Sequence, residues 1–440
     1  MLCDALYLPL CGSLHIQPLK NLKKLNLSAS YRLKELPDLS NATNLKDLNM
    51  NYCESLIEIP SSFSHLHKLL GLEVVGCINL QVIPAHMNLA SLVQVSMDGC
   101  SRLRNIPVMS TNIKNLFIPR TAVQGVPPSV RFWSCLEHLY LSSKGDLKGL
   151  KHLPKSVMTL LINDSDIERI PDCIKDLHRL KCLNISGCRR VTTLPELPGS
   201  LTDIYAQDCE SLETIFFPLN RSYKCLHLTN CFKLAQRREI IQQTLSPETA
   251  LLPAREVPAE FFDHRAKGNS LTILLDSNRS YRGVRVCVVI SPNQPLTENS
   301  VRNILWTHIK GQYYSLSAHP KYVGEVSKFQ SEHLFVFHSD LGGFHPSEDN
   351  REIIFKFSSK SRDFEIIECG AKILPEESIK GSCESESEAF EESIKGSCES
   401  RLDELFVDGD RTDCWSWLFL CLDLSKIVKN VRSCVLGRRR

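Results

Sequence analysis

A nine-residue pattern recurs along the first half of the chain and limits what the chain can fold into. In one-letter code it is L-x-x-L-x-L-x-x-C, and LKDLNMNYC at Leu45–Cys53 is a complete copy. Ten copies, some without the cysteine, begin at Leu22, Leu45, Leu69, Leu92, Ile113, Leu136, Val157, Leu180, Leu201 and Tyr223. Subtracting these positions shows that successive copies start 21 to 24 residues apart. A period this regular predicts a stack of equivalent units.

The pattern also predicts the shape of each unit. Apolar residues at the fourth and sixth positions favour a short strand with one buried face, which stacked neighbours must cover. A second apolar segment ending in proline follows most copies, as in LKELP at Leu33–Pro37, and proline keeps the preceding residue extended. Period and signature are typical of leucine-rich repeats. We predict an α/β horseshoe of about ten repeats over residues 17–234, with the strands lining its concave side.

Cysteine occupies the ninth position of six copies: Cys53, Cys77, Cys100, Cys188, Cys209 and Cys231. A small, largely apolar thiol with a weak S–H donor suits a buried turn where backbone groups need a partner. None of the 19 cysteines has a partner at the two-residue gap of a zinc knuckle. We therefore predict buried, reduced thiols and a reducing compartment, the cytoplasm first and the nucleus second.

The composition changes on both sides of the repeats. Residues 1–16 are expected to be irregular, and residues 235–250 to form a polar connector. Short β-rich runs separated by turn residues predict an all-β sandwich of jelly-roll or Ig-like type at 251–374. The acidic, serine-rich stretch 375–412 contains EESIKGSCES twice and is expected to be disordered.

The end of the chain, residues 413–440, joins a short apolar run to a basic terminus. The run Trp415–Leu422 is far shorter than the roughly 20 apolar residues that cross a bilayer, so no transmembrane segment is predicted. A short helix docked on protein is the favoured interpretation. A peripheral membrane contact through the basic tail is the less favoured alternative.

Motifs for catalysis are missing from the sequence. The dipeptides Gly-Lys, needed for a phosphate-cradling loop, and His-Glu, needed for a helical zinc-protease motif, do not occur. A net charge of +2 gives no support to a nucleic-acid partner bound by phosphate neutralisation. We predict no catalytic residue, no metal site and no bound cofactor.

Two stretches carry a resemblance to a known family. The repeats from Leu22 to Ser62 resemble those of plant intracellular disease resistance proteins of the TIR–nucleotide-binding–leucine-rich-repeat group. LPAREVPAEFFDHRAKGNSLTILL from Leu252 and ECGAKIL from Glu368 resemble the start and end of that group's post-repeat domain, called C-JID. Ala254, Leu274 and the pair Ala371-Lys372 depart from its usual residues.

The resemblance implies a partner and leaves alternatives. It implies that the chain recognises a pathogen effector protein or a host guard protein, with a full-length receptor as a further partner. The family's TIR and nucleotide-binding domains have no counterpart in this sequence, so its ADP/ATP binding and signalling are not expected here. An extracellular leucine-rich-repeat receptor and a bacterial ubiquitin ligase with such repeats, suggested by LPELPGSL at Leu194–Leu201, are the two alternatives.

The candidate binding residues follow from the repeat geometry. Side chains at the third, fifth, seventh and eighth positions are expected to point out of the concave face. Exposed aromatic residues on a rigid strand are favourable binding groups, and charged or titratable neighbours would form a rim. The predicted contact residues are Phe117, Tyr140, Leu161, Tyr205 and His227 at the fifth position, with Arg120, His138, Asp203 and Asp208 around them.

Overall fold

The structure is a computed structural model of the 440-residue chain. It describes residues 6–7, 19–85, 87–142, 147–217, 223–235, 240, 249–276, 279, 281–293, 304–311, 315–322, 329–344, 351–359 and 364–375. The predictions for the acidic stretch beyond residue 375 and for the tail at 413–440 lie outside the described residues. Those for residues 1–16 and for the connector lie mostly outside them.

The repeats build one parallel stack of short strands. The strands are β1 (Leu6–Tyr7), β2 (Lys24–Asn26), β3 (Asp47–Asn49), β4 (Gly71–Glu73), β5 (Gln94–Ser96), β6 (Asn115–Ile118), β7 (His138–Leu141), β8 (Thr159–Ile162), β9 (Cys182–Asn184), β11 (Asp203–Tyr205) and β13 (Cys225–His227). Two shorter strands, β10 (Thr193–Leu194) and β12 (Thr214–Ile215), pair in a small separate sheet. The stack begins earlier than the sequence suggested, because β1 pairs in parallel with β2.

The fourth-position residues form one buried column through the stack. Each pairs with its equivalent in the next repeat, as Leu48 does with Leu72 and Leu160 with Leu183. Exposure is at most 1% for Leu48, Leu72, Val95, Leu116, Leu139, Leu160, Leu183, Ile204 and Leu226. The predicted continuous column is confirmed, and with it the leucine-rich-repeat fold.

The helical side of the repeats differs from the expected α/β pattern. Between residues 19 and 217 the described helical segments are all 3₁₀ helices: η1 (Leu19–Asn21), η2 (Ser61–His65), η3 (Pro128–Phe132), η4 (Leu147–His152) and η5 (Asp172–Asp176). Prolines Pro60, Pro127 and Pro171 immediately precede η2, η3 and η5. A repeat of 21 to 24 residues leaves room there for one tight turn, which suits 3₁₀ geometry better than an α-helix.

After the repeats the same sheet continues with longer, antiparallel strands. β14 (Thr249–Pro253) pairs in parallel with β13 and antiparallel with β20 (His333–Phe344). The order then runs through β17 (Tyr281–Pro292) and β22 (Phe364–Pro375) to β15 (Arg265–Lys267), with η6 (Ala259–His264) before β15. A second antiparallel sheet contains β16 (Ser270–Leu274), β21 (Glu352–Ser359), β18 (Ile304–Gly311) and β19 (Ser315–Tyr322).

The two faces of β14 belong to two different cores. Ala250 and Leu252 continue the core of the repeats, which runs from Leu22 to Val336. Leu251 faces the other way, into a core that the second sheet shares through residues such as Phe355. The two sheets therefore pack as a sandwich, and one of them is a direct extension of the repeat sheet.

Candidate protein-binding face

The concave face is the side of the repeat sheet opposite the leucine column. Third- and fifth-position side chains occupy it, because successive residues of a strand point to opposite sides. In β6 and β7, Phe117 lies beside Tyr140 and Asn115 beside His138. These four side chains are half-buried, whereas the leucines between them are buried.

The backbone turns at the eighth position in every repeat where that position is described. The residues with positive φ there are Ala29, Tyr52, Gly76, Gly99, Arg120, Asp164, Gly187, Asp208 and Asn230. The left-handed conformation favours glycine, which explains the Gly-Cys ending of three copies. The eighth side chain lies over the next repeat: a Cβ on Gly76 would come within 2.6 Å of the Tyr52 ring. The sequence predicted a turn here but not its left-handed eighth residue, although the recurring glycines signal it.

The ninth-position cysteines tie each repeat to the one before it. Each thiol donates a hydrogen bond to the carbonyl oxygen of the sixth residue in the preceding repeat. Examples are Cys53 to Leu27 at 3.2 Å, Cys77 to Met50 at 3.1 Å and Cys231 to Ala206 at 2.9 Å. The same bond is made by Cys100, Cys188 and Cys209. Burial raises the pKa of Cys100 and Cys188 to about 12. None of the six forms a disulfide, and their thiols act as hydrogen-bond donors that hold the strand face in position.

The amino-terminal part of the concave face is polar and ordered. The Glu73 carboxylate accepts hydrogen bonds of 3.0 Å from the side-chain amides of both Asn49 and Asn51. The Asn51 side-chain oxygen accepts from the backbone N–H of Val75 at 2.8 Å. Among the ion pairs between described residues, none includes Glu73. Its negative charge is therefore oriented by neutral amides and available on the face.

An ion pair lies at the turns next to the aromatic shelf, which is formed by Phe117 and Tyr140. Arg120 donates two hydrogen bonds to the Asp98 carboxylate, one from Nε to Oδ1 at 2.8 Å and one from Nη2 to Oδ2 at 2.5 Å. This contact with Asp98 raises the pKa of Arg120. Burial lowers the pKa of His138, which is consequently neutral at pH 7. The predicted rim at this end thus has one guanidinium fixed by a carboxylate and one neutral imidazole.

Three of the predicted contact residues lie in a closed part of the same face. Leu161, Tyr205 and His227 are only 6%, 5% and 1% exposed, and the expectation that they point into solvent is wrong. The fifth-position residue of the last repeat, His227, pairs with Leu251 of β14, and Leu251 belongs to the sandwich core. The repeat sheet therefore leads into the sandwich on this side, and the carboxyl-terminal end of the concave face becomes interior. The rings of Tyr205 and His227 meet edge to face at 5.4 Å.

The two aspartates predicted for the rim, Asp203 and Asp208, accept hydrogen bonds from neighbouring side chains of the same chain. Asp203 is half-buried and accepts from the Thr202 hydroxyl at 2.7 Å. Asp208 accepts from the Asn230 side-chain amide at 2.6 Å. Asn230 also accepts from the backbone N–H of Gln330 at 3.1 Å and donates its own N–H to His333 Nε2 at 3.0 Å. Asp208 thus belongs to the junction between the repeats and β20.

The described residues limit what chemistry the face can perform. Within them, no group of three or more His, Cys, Asp or Glu side chains is placed to hold a metal ion. Of the helices in the described part of the chain, none has the length and hydrophobicity to cross a membrane. What the face offers is a rigid strand surface with one aromatic shelf, one oriented carboxylate and one paired arginine.

The parallel stack of short strands, with its column of buried leucines, is the fold of a leucine-rich-repeat protein. No protein-family profile matches the chain, but curated plant proteins do. Over 381 residues it is 56% identical to Disease resistance protein RML1B of Arabidopsis thaliana, a match that covers 85% of this chain and 36% of that protein. Disease resistance protein RML1A of the same plant is 42% identical over 385 residues, covering 84% of this chain and 38% of that protein.

The chain is therefore homologous to plant disease resistance proteins, and the resemblance predicted from the sequence is confirmed. It spans a little over a third of the length of these two relatives. Solved structures with low similarity include a Leptospira interrogans leucine-rich-repeat protein (19% identity, TM-score 0.34, covering 49% of this chain and 71% of that one). Another is the leucine-rich-repeat domain of the type III effector XopL (17% identity, TM-score 0.33, covering 52% and 73%).

Proposed function

We propose that this chain is the non-enzymatic recognition part of a plant intracellular immune receptor. It binds a pathogen effector protein or a host guard protein, with a full-length receptor as a further partner, in the cytoplasm. The open end of the concave face makes the contact, and loops of the sandwich, which we assign to the post-repeat C-JID type, extend it. We keep the division into repeats at 17–234 and sandwich at 251–374 as part of this proposal.

The observation that carries the proposal is the aromatic shelf of Phe117 and Tyr140 on adjacent strands. Both rings are half-buried, so a partner can cover them at little further cost in side-chain freedom. Aromatic and arginine side chains in the centre of a contact commonly supply most of its binding free energy. Arg120 and His138 flank the shelf and complete a compact candidate contact.

The remaining predicted contact residues support the face in this proposal. Leu161, Tyr205 and His227 are buried and form the floor where the concave face meets the sandwich. Asp203 and Asp208 are half-buried and hydrogen-bonded within the chain. A partner therefore touches the surface between β2 and β7 first. No catalytic, metal or cofactor role is assigned to any residue of the chain.

The test is a binding screen followed by paired substitutions. The 440-residue chain would be screened against a library of secreted effector proteins from leaf pathogens, with affinity measured for each positive. Phe117→Ala combined with Tyr140→Ala should weaken a true partner by 10-fold or more, because each anchor residue of an interface contributes about 1–2 kcal/mol.

The matched control removes two exposed aromatic side chains elsewhere, Tyr31→Ala with Phe132→Ala, which are 44% and 49% exposed. The control should bind normally, and both double variants should keep the thermal midpoint of the unchanged chain within a few degrees. Equal binding by the Phe117/Tyr140 variant and the unchanged chain would contradict the assignment of the concave face.

A further inference from the structure

Three basic side chains lie side by side on one face of the sandwich. Arg285 of β17 stands opposite His338 of β20 and opposite Lys372 of β22. Directly opposed residues in antiparallel strands carry their side chains on the same face. That face also carries Cys287 and Val289, which enter the core of the repeats. The basic row is therefore on the side of the sheet away from the concave face.

Arg285 is the unusual member of the row. Its side chain is buried, with 5% exposure, and its Nε has no hydrogen-bond partner. Burial alone lowers the pKa of Arg285 to about 10, with no carboxylate opposing the shift. Among the ion pairs of the described residues, none contains Arg285. A guanidinium enclosed in this way without a counter-charge costs several kcal/mol.

One described carboxylate on the same face of the sheet, that of Glu368, is already engaged. Glu368 stands opposite Val289, four residues from the level of Arg285, or about 13 Å along the strand. Its two oxygens accept hydrogen bonds from Arg265 Nε at 2.6 Å and from the Val257 N–H at 2.8 Å. Because both oxygens are satisfied at that distance, Glu368 does not compensate Arg285.

Gly283 leaves room for the imidazole of His338 in this row. Gly283, two residues before Arg285 on β17, has no side chain, and the His338 imidazole fills that space so closely that a Cβ there would collide with it. Lys372, on the other side of Arg285, is half-buried. Arg285 thus has a basic residue directly opposite it on each of the two neighbouring strands.

We propose that Arg285, His338 and Lys372 form a binding site for a compact oxyanion of the phosphate class. The flat fork of arginine matches two oxygens of such a group, and lysine adds a mobile point charge. The anion supplies the counter-charge that Arg285 lacks within the described residues. It comes either as free inorganic phosphate or as a phosphorylated side chain of a partner, two sources of the same chemistry.

Titration calorimetry of the 440-residue chain tests the site, with inorganic phosphate and a phosphoserine peptide as separate probes in chloride buffer of matched ionic strength. The unchanged chain should bind at least one of them. Arg285→Met should abolish binding without loss of folding, since replacing an uncompensated buried charge by an apolar side chain is neutral or stabilising. Lys372→Met should weaken binding about tenfold, as expected for one charge-assisted hydrogen bond.

Arg255→Met is the matched control, because that arginine side chain is 85% exposed and lies elsewhere, against Glu332. It should bind like the unchanged chain. Suppose that the phosphoserine peptide binds, whereas free phosphate and the unphosphorylated peptide do not. That result identifies a partner's phosphorylated side chain as the source. Failure of the unchanged chain to bind either probe, or undiminished binding by the Arg285 variant, overturns the proposal.

Discussion

The six ninth-position cysteines, called the ladder cysteines from here on, show how much one small side chain contributes when it recurs. Each thiol satisfies a carbonyl that the turn after the strand leaves without a sheet partner, for example Cys188 with Ile162 at 2.9 Å. Where the ninth residue is Thr121 the side chain reaches only its own repeat, to Ile118 at 3.1 Å. The strands of these central repeats, β6 to β8, have four residues instead of three.

Substituting a ladder cysteine should lower stability while leaving the fold intact. Cys188→Ala leaves the Ile162 carbonyl buried without a donor, which costs about 1–3 kcal/mol. The free energy of unfolding from urea titration measures the loss. Cys135→Ala, at a half-buried position off the ladder, should cost clearly less. An equal loss at both positions would mean that the ladder hydrogen bond contributes nothing.

The same thiols should react last with an alkylating reagent. Native, unreduced protein treated with iodoacetamide at pH 8 should be labelled at Cys135 well before Cys100 or Cys188, since burial raises the pKa of both ladder thiols to about 12 and only the thiolate reacts. Mass spectrometry of the digested protein gives the order. Disulfides between ladder cysteines would contradict this and would favour an extracellular protein.

Two buried histidines make stability depend on pH. Burial lowers the pKa of both His227 and His333 to about 4, so the unfolded chain binds protons that the folded chain does not. Their contribution is complete above pH 6.5 and is lost as pH falls toward 4. Between pH 7.5 and pH 5 the free energy of unfolding should fall by about 2 kcal/mol per histidine. His333→Gln should make that decrease smaller in urea titrations; an unchanged pH dependence would rule out His333 as a source.

At the level of strands and turns, the repeat period predicted most of the fold. The period determined which leucines face the core. The five β-rich runs that the sequence shows after the repeats correspond to β16, β17, β20, β21 and β22; they are Asn269–Leu275, Val284–Ile290, Glu332–His338, Ile353–Phe357 and Phe364–Cys369. β14, β15, β18 and β19 were missed. SLSAHPKY of β19, for example, contains a proline and little apolar alternation. The burial of His227 was also unpredictable, since its strand β13 pairs with β14, which in turn pairs with β20 some 80 residues further along the sequence.

The leucine column should be the most sensitive element. Leu183→Ala removes a side chain with 0% exposure and should lower the free energy of unfolding by about 2–5 kcal/mol, as for other buried leucines. Ile57→Ala, at an apolar position that is 50% exposed, serves as the control and should cost about 0.5 kcal/mol or less. A small loss for Leu183→Ala would be incompatible with a single packed column.

Across the whole molecule, the repeats and the sandwich share structure that separate domains do not. The sheet passes from β13 through β14 to β20, and a single core extends from Leu22 to Val336. Asn230 adds polar contacts across the same junction, to Asp208, Gln330 and His333. The repeats and the sandwich are therefore joined by one continuous sheet and one packed core.

This continuity predicts that repeats and sandwich unfold together. In a urea series followed by hydrogen exchange and mass spectrometry, the amides of β9 and those of β17 should lose protection at the same denaturant concentration, the mark of one cooperative unit. Asn230→Ala removes the side-chain contacts to Asp208 and Gln330, and should shift both losses to lower urea together. Ser28→Ala on β2's side of the stack, an exposed residue far from the junction, should shift neither. Two well-separated transitions in the unchanged chain would show that the shared sheet does not couple them, and the sandwich would then act as an independent module beside the concave face.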